Sequence, residues 1–361
     1  MRMNFYMPVK TYSEQNCVLN HAAELAALGS RALIVTGKSS ARRCGAFYDV
    51  TEALGKHGKT WVEFAGVEEN PSVETVMKAR ELGLKENTDF VIGIGGGSPM
   101  DAAKAIALMI RHADSDWSYM YDKSAETTTV PIAEVPTTAG TGSEVTAVSV
   151  LTRHDKHVKG SIPHKIFADL ALIDGRYIAG TPKQIIANTT MDALAHLYES
   201  YIHSKATDFS RMCAESGIRI WARSKDAVLG KREAAAEDYQ NMINASTMAG
   251  MAIAHTATSI PHALSYRLTY SANMAHGKAC GYFLAGYLKE ADPEAVGHIL
   301  GLAGFESIDE LDDYFVKTCG RDKVPDEILE ETVREVLANE AKCKLPPFPV
   351  DEAVLRRIAG I

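Results

Sequence analysis

Cysteine is sparse and scattered in this chain: Cys17, Cys44, Cys213, Cys280, Cys319 and Cys343 nowhere form a CxxC. That spacing excludes a disulfide framework and a thiolate zinc site, so the six read as ordinary reduced thiols. Any transition metal is therefore expected on histidine and carboxylate, ligands that suit Fe(II) or Zn(II) and can leave a position open for substrate. Long apolar runs are missing too. No 18 apolar residues come in succession, and Met1-Arg2-Met3-Asn4-Phe5-Tyr6 has no apolar run of signal-peptide length, which predicts a cytoplasmic protein without a membrane partner. Lys/Arg clusters are absent, and the formal charge of −8 repels nucleic acid, so no nucleic-acid partner is expected. There is no internal repeat, low-complexity tract or long linker. With 46% hydrophobic and 23% charged residues, core material is not limiting, and 361 residues exceed one ordinary core. Two closely packed halves with a ligand cleft are the expectation.

What is present begins with an alternation. Strand-like Arg31–Thr36 leads through the turn Gly37-Lys38-Ser39-Ser40 into a helical run from Ala41 to about Lys56. A second strand, Thr60–Phe64, precedes Asn70-Pro71-Ser72 and a helix to about Leu84, and a third, Asp89–Ile94, is apolar enough to be buried on both faces. Strand, turn and helix in repetition predict a parallel sheet covered by helices. Further strands are expected at Val130–Val135, Val145–Leu151 and Leu170–Asp174. After about residue 178, β-branched runs become rare and helical spacing dominates. The predicted organisation is an α/β, Rossmann-like dinucleotide-binding domain over residues 1–178, then an all-α domain over 179–361 opening near Gly180-Thr181-Pro182.

Two loops suit phosphate. In Gly95-Gly96-Gly97-Ser98-Pro99-Met100-Asp101, Ser98 can cap a helix, Pro99 suits its first position and Asp101 completes a capping box. Exposed amides at such a helix start attract anions. A capped turn without a ligand would look the same, and the stretch follows the third strand rather than the first, unlike the usual dinucleotide fingerprint. The second loop, Pro136-Thr137-Thr138-Ala139-Gly140-Thr141-Gly142-Ser143-Glu144, offers hydroxyls for phosphate, ribose or carboxamide, as an ordinary polar loop also would. Together they favour a dinucleotide.

In the helical half, Met191–Tyr201 reads as an amphipathic helix on which Asp192 and His196, four apart, share a face and can share a cation. That pairing is more often a surface pair, and it needs partners. His262 follows Pro261, and His276 comes 14 residues later, ahead of Gly277. His21, His57, His112, His154, His157, His164 and His298 read as ordinary surface or core histidines. His203 and His255 each lie seven residues from a candidate ligand and can line the site without touching a metal.

The run Gly95–Lys104, the loop Pro136–Glu144, the segment Asp192-Ala193-Leu194-Ala195-His196 and the pair His262 and His276 together resemble the iron-containing, or group III, alcohol dehydrogenases. The motifs stand in that family's order from residue 95 to 276. The resemblance implies an NAD(P)-binding α/β domain and a helical domain holding one divalent metal through Asp192, His196, His262 and His276, with Fe(II) expected and Zn(II) open. It implies an alcohol dehydrogenase or aldehyde reductase passing hydride between nicotinamide C4 and a small-molecule alcohol or aldehyde held at the metal, and a homodimer. Cofactor contacts are expected from Gly37, Lys38, Ser39, Gly95, Gly96, Gly97, Ser98, Asp101, Thr137, Thr138, Thr141, Ser143 and Lys159.

Two departures stand out. Many family members carry a second proton-relaying histidine where this chain has Tyr266, and a phenol, with a pKa of about 10, is a poorer relay. NAD-preferring members often carry Asp after the first strand. Here Gly37-Lys38-Ser39-Ser40 precedes Arg42 and Arg43, so NADP(H) is expected over NAD(H). The rival readings are a zinc-dependent glycerol dehydrogenase or dehydroquinate-synthase-like relative, disfavoured by His196, and a non-catalytic nucleotide-binding protein, disfavoured by four intact ligand positions.

Overall fold

The computed structural model describes residues 4–156 and 158–361. Met1, Arg2, Met3 and His157, read above as part of a leaderless start and as an ordinary histidine, lie outside the described residues. The chain forms two compact units: residues 7–138 with 142–180, and residues 181–361 with 139–141 and the described residues 4–6.

The first unit is built on a parallel sheet of six strands. In chain order its strands are β1 (Lys10–Ser13), β2 (Arg31–Gly37), β3 (Thr60–Val67), β4 (Phe90–Gly95), β5 (Ile132–Pro136) and, after a separate hairpin of β6 (Val150–Arg153) and β7 (Val158–Ser161), β8 (Leu170–Ile173). They lie in the order β1-β8-β5-β4-β2-β3. β4, β5 and β8 are buried throughout, as expected of strands covered on both faces.

Three expectations need correction. The β-branched run at Val145–Leu151 is not a strand of the sheet. Gly142 adopts φ 58°, a single 3₁₀ turn follows at Ser143–Val145, and only from Val150 does the chain extend, into the antiparallel β6–β7 hairpin. The helical run from Ala41 to Lys56 is two helices, Ser40–Arg43 and Ala46–Lys56, parted at Gly45, whose φ of 90° leaves the helical region. The capping box at the glycine turn does not form either. The helix Gly97–Arg111 starts with Gly96 as its cap and no side chain bonded there, because Ser98 Oγ accepts from Asn70 N at 3.1 Å and the Asp101 carboxylate binds elsewhere.

The second unit is helical around the helix Lys183–Ile202. Residues 190–200 are all buried, so this is not the amphipathic helix expected. Leu194, Leu197 and Tyr198 join one apolar core with Ile218, Leu264 and Phe283. Asp192, His196 and Glu199 are carried inside with them and must find partners there. Among the described residues no helix is long and apolar enough to cross a membrane.

Candidate functional site

Three helices of the second unit meet at Asp192. His262 sits in the first turn of Ile260–Ser271, where Pro261 suits the helix start, and His276 opens His276–Lys289. His262 Nε2 stands 3.4 Å from Asp192 Oδ1, and His276 Nε2 stands 3.9 Å from the same oxygen. Glu199, a further two turns along from Asp192, fixes His262 from behind: its Oε1 lies 2.5 Å from His262 Nδ1, and its other oxygen accepts from the Ser259 amide. If His262 Nδ1 carries the proton bonded to Glu199, Nε2 is left as a bare lone pair facing a carboxylate oxygen.

Neither that nitrogen nor Asp192 Oδ1 has a hydrogen-bond partner, and both residues are nearly fully buried. Two buried acceptors face to face repel unless a proton or cation lies between them. The electrostatics agree. Burial opposes ionising Asp192, yet His196, His262 and His276 hold its carboxyl below the usual carboxylate range. His262 is likewise opposed by burial, but Cys280, Glu199 and Asp192 hold its pKa well above that of a free imidazole.

His196 is placed differently. Its ring stacks on that of His262, with centroids 4.1 Å apart, and its Nδ1 lies 3.3 Å from the Gly140 carbonyl. Burial and His262 drive its pKa down to about 4, so it is a neutral imidazole at ordinary pH. The four donors that lie close together are Asp192, His262, His276 and Cys280. Cys280 lies one helical turn beyond His276 and is fully buried. Tyr266 lies parallel to His276 with ring centroids 6.1 Å apart and is 46% exposed, open enough to meet solvent. His203 and His255 stay outside the group. The first accepts from the Lys205 amide, and the second accepts from the Tyr6 amide beneath the ring of Phe5.

The phosphate-competent loops belong to the first unit, apart from residues 139–141. Gly95 ends β4 with φ 157°, and a Cβ there would meet Pro99 Cγ at 2.5 Å, so only glycine makes this turn. With no side-chain cap, the first amides of the 97–111 helix keep their donors for an anion. Thr138 packs on Gly96, while Gly37 ends β2 and Lys38 and Ser39 follow it exposed. Asp101 and Ser143 spend their side chains on the protein: Ser143 Oγ donates to Asp101 Oδ1 at 2.6 Å, and Val150 N donates to Oδ2 at 2.9 Å. Lys159 donates to the side chain of Asn70, a residue with φ 58° that the sequence reading named only as the start of a turn.

Known proteins agree with this architecture. Residues 8–175 match the family Iron-containing alcohol dehydrogenase, and residues 186–307 match the Fe-containing alcohol dehydrogenase family, C-terminal. A 1,3-propanediol dehydrogenase of Citrobacter freundii is 36% identical across 78% of this chain and 74% of its own length. The chain belongs to the iron-containing alcohol dehydrogenase family.

A long-chain-alcohol dehydrogenase of Geobacillus thermodenitrificans is 29% identical over 93% of this chain and 90% of its own. The crystal structure of an iron-containing alcohol dehydrogenase superposes with a TM-score of 0.90 at 33% identity, covering both chains completely. As a family member the protein is an oxidoreductase, a metal-dependent, NAD(P)-dependent alcohol dehydrogenase or aldehyde reductase. Small-molecule alcohols and aldehydes fit the family as substrates.

Glu199 was missing from the sequence reading, although residues 192, 196 and 199 lie on one face of a helix and the spacing held the signal. Replacing Glu199 with Gln keeps the shape but removes the charge that orients His262. Metal affinity, measured by chelator competition, is expected to fall about 10- to 100-fold. Wild-type affinity in the variant would show that Glu199 serves the fold alone.

Proposed function

We propose that Asp192, His262 and His276, with His196 beside them, hold one divalent metal, Fe(II) first and Zn(II) as the alternative, for oxidation of a small alcohol or reduction of an aldehyde. The two buried polar atoms without a hydrogen-bond partner, Asp192 Oδ1 and His262 Nε2 at 3.4 Å, carry this reading. When bound, such a cation polarises a carbonyl or acidifies an alcohol while the nicotinamide gives or takes hydride. The chain's own residues set the stage. Asp192 contributes negative charge, Glu199 fixes the tautomer of His262, and the Gly140 carbonyl does the same for His196. Tyr266, parallel to His276, is the group placed to pass a proton outward.

Metal content per chain, measured by mass spectrometry on protein purified without oxygen or chelator, tests the site. About one iron or zinc per chain is expected, lost in His262→Ala. A wild-type protein that takes up no metal after anaerobic reconstitution would sink the reading.

For the cofactor, we favour NADP(H) over NAD(H). The turn after β2 has no carboxylate, and Lys38 and Arg43 are exposed and make no ion pair among the described residues, although Arg42 is held by Glu63. Contacts are assigned to Gly37, Lys38 and Ser39, to Gly95–Ser98, to Thr137, Thr138 and Thr141, and to Lys159; Asp101 and Ser143 brace the loops. A carboxylate introduced by Gly37→Asp should swing the ratio of kcat/KM strongly towards NAD(H). An unchanged ratio would reduce Lys38 and its neighbours to a solvated helix start. A homodimer through the edge of the sheet accords with the outer position of β3 and the partly exposed Trp61. The unpaired cysteines accord with a cytoplasmic setting.

A further inference from the structure

We propose that Lys342 sets substrate preference by receiving a single negative charge at the far end of a short aldehyde or alcohol. This rests on the proposed metal site and adds the chemical class of the molecule that reacts there.

The lysine is built into the helical unit and does not hang on a loose tail. It stands on the short helix Glu340–Cys343, where Asn339 Oδ1 accepts from its backbone amide at 3.3 Å. Just beyond, the Leu345 carbonyl accepts from Ser204 N at 2.9 Å and the Lys344 carbonyl from Ser204 Oγ at 3.1 Å. Those bonds pin the segment to the residues that follow the 183–202 helix. From there the half-buried side chain brings its ammonium to 5.9 Å from the centre of the Tyr266 ring, which itself lies parallel to His276. Tyr266 is thus a neighbour of both the ammonium and a proposed metal ligand.

Nothing in the unit neutralises this charge. Among the described residues the Lys342 ammonium makes no ion pair and no hydrogen bond, and a ring centre 5.9 Å away is at the outer limit of a cation–π contact. Burial lowers its pKa from the ordinary lysine value, with Glu199 opposing the change. Glu199 is itself spent on His262 and the Ser259 amide, and Arg267, next to Tyr266, donates to Glu335 at 3.2 Å. A half-buried ammonium without a counter-ion is a costly arrangement that an incoming anion relieves. One ammonium balances one charge, so a carboxylate or another monoanion suits it better than a phosphate dianion. If instead the lysine stem only packs on Tyr266, its loss must affect charged and uncharged substrates alike.

The test compares succinic semialdehyde, which ends in a carboxylate, with butanal, its uncharged counterpart of equal chain length, on the metal-loaded protein with reduced nicotinamide cofactor. Wild type is expected to favour succinic semialdehyde in kcat/KM. Lys342→Met should lower the ratio of the two about 10- to 100-fold, mostly by raising KM for the charged aldehyde, and Lys342→Arg should recover part of it. Calorimetry reads the same preference without turnover: 4-hydroxybutyrate should bind the metal-loaded wild type more tightly than butan-1-ol does. A wild-type protein that reduces butanal and shows no preference for the charged partner would overturn the role of Lys342 and leave the metal site standing, even if the variants fold poorly. A Lys342→Met protein that slows both aldehydes by the same factor would overturn it as well. Reduction of neither aldehyde and binding of neither alcohol would overturn both readings.

Discussion

Replacing Gly277 with alanine is expected to cost the protein its metal. A Cβ at this position would lie 2.0 Å from the Asn188 carbonyl oxygen and 2.8 Å from Asp192 Cβ. The oxygen is main chain, held within the 183–202 helix, and cannot swing aside as a side-chain tip would. The 276–289 helix must therefore retreat by about 1 Å or more, in an interior packed to crystal-like density. Its first residue is His276, whose Nε2 is already 3.9 Å from Asp192 Oδ1, so retreat opens the donor group directly. Overpacking of this kind costs about 1–3 kcal/mol, occasionally more. Metal per chain and thermal unfolding of Gly277→Ala measure both effects. Gly301→Ala is the control: it is helical with nothing within 4 Å of the added carbon, and should hold or slightly raise stability. Full metal occupancy in Gly277→Ala would show that the helices are not tied as closely as their backbones imply.

The second large effect is expected at Lys104. This lysine is fully buried, and its ammonium donates to Ser143 O at 2.6 Å, Ser143 Oγ at 2.9 Å and Val148 O at 3.1 Å. Asp101 and Glu134 each place a carboxylate oxygen 4.0 Å away. Glu134 has no hydrogen-bond partner on either oxygen, and burial pushes its pKa well above the ordinary carboxylate range. Lys104→Met keeps the length of the side chain but leaves two carbonyls, a hydroxyl and the carboxylates without their cation. Removing one member of a buried charged group costs about 3–5 kcal/mol, and urea unfolding of the variant should show a loss of that order. A loss below about 1 kcal/mol would mean that water reaches the cluster and does the lysine's work.

These two residues show what a sequence displays and what it hides. The alternation from Arg31 to Ile94 was legible because parallel strands buried on both faces must be apolar along their whole length. β1 was not, because Lys10–Ser13 is a half-exposed outer strand with no such demand. Val145–Leu151 has the composition of a strand, but the carbonyls of Ser143 and Val148 turn to Lys104, a tertiary demand that outweighs local preference. At the site, Asp192 and His196 were found by helical spacing, and His262 and His276 through the family's motifs. Glu199 carries the same spacing signal, one turn beyond His196. It escaped because a glutamate on a helix has many ordinary explanations until burial removes them.

The burial of residues 190–200 gives the site a direction. Amides in such a stretch are expected to exchange with solvent only when most of the unit opens, which would put Asp192 and Glu199 on slowly exchanging backbone. His276 instead begins its helix and keeps a side chain 31% exposed. For an ion held at these residues, the expectation is a residence time that follows how often the first turn of the 276–289 helix loosens rather than the strength of the wall behind it.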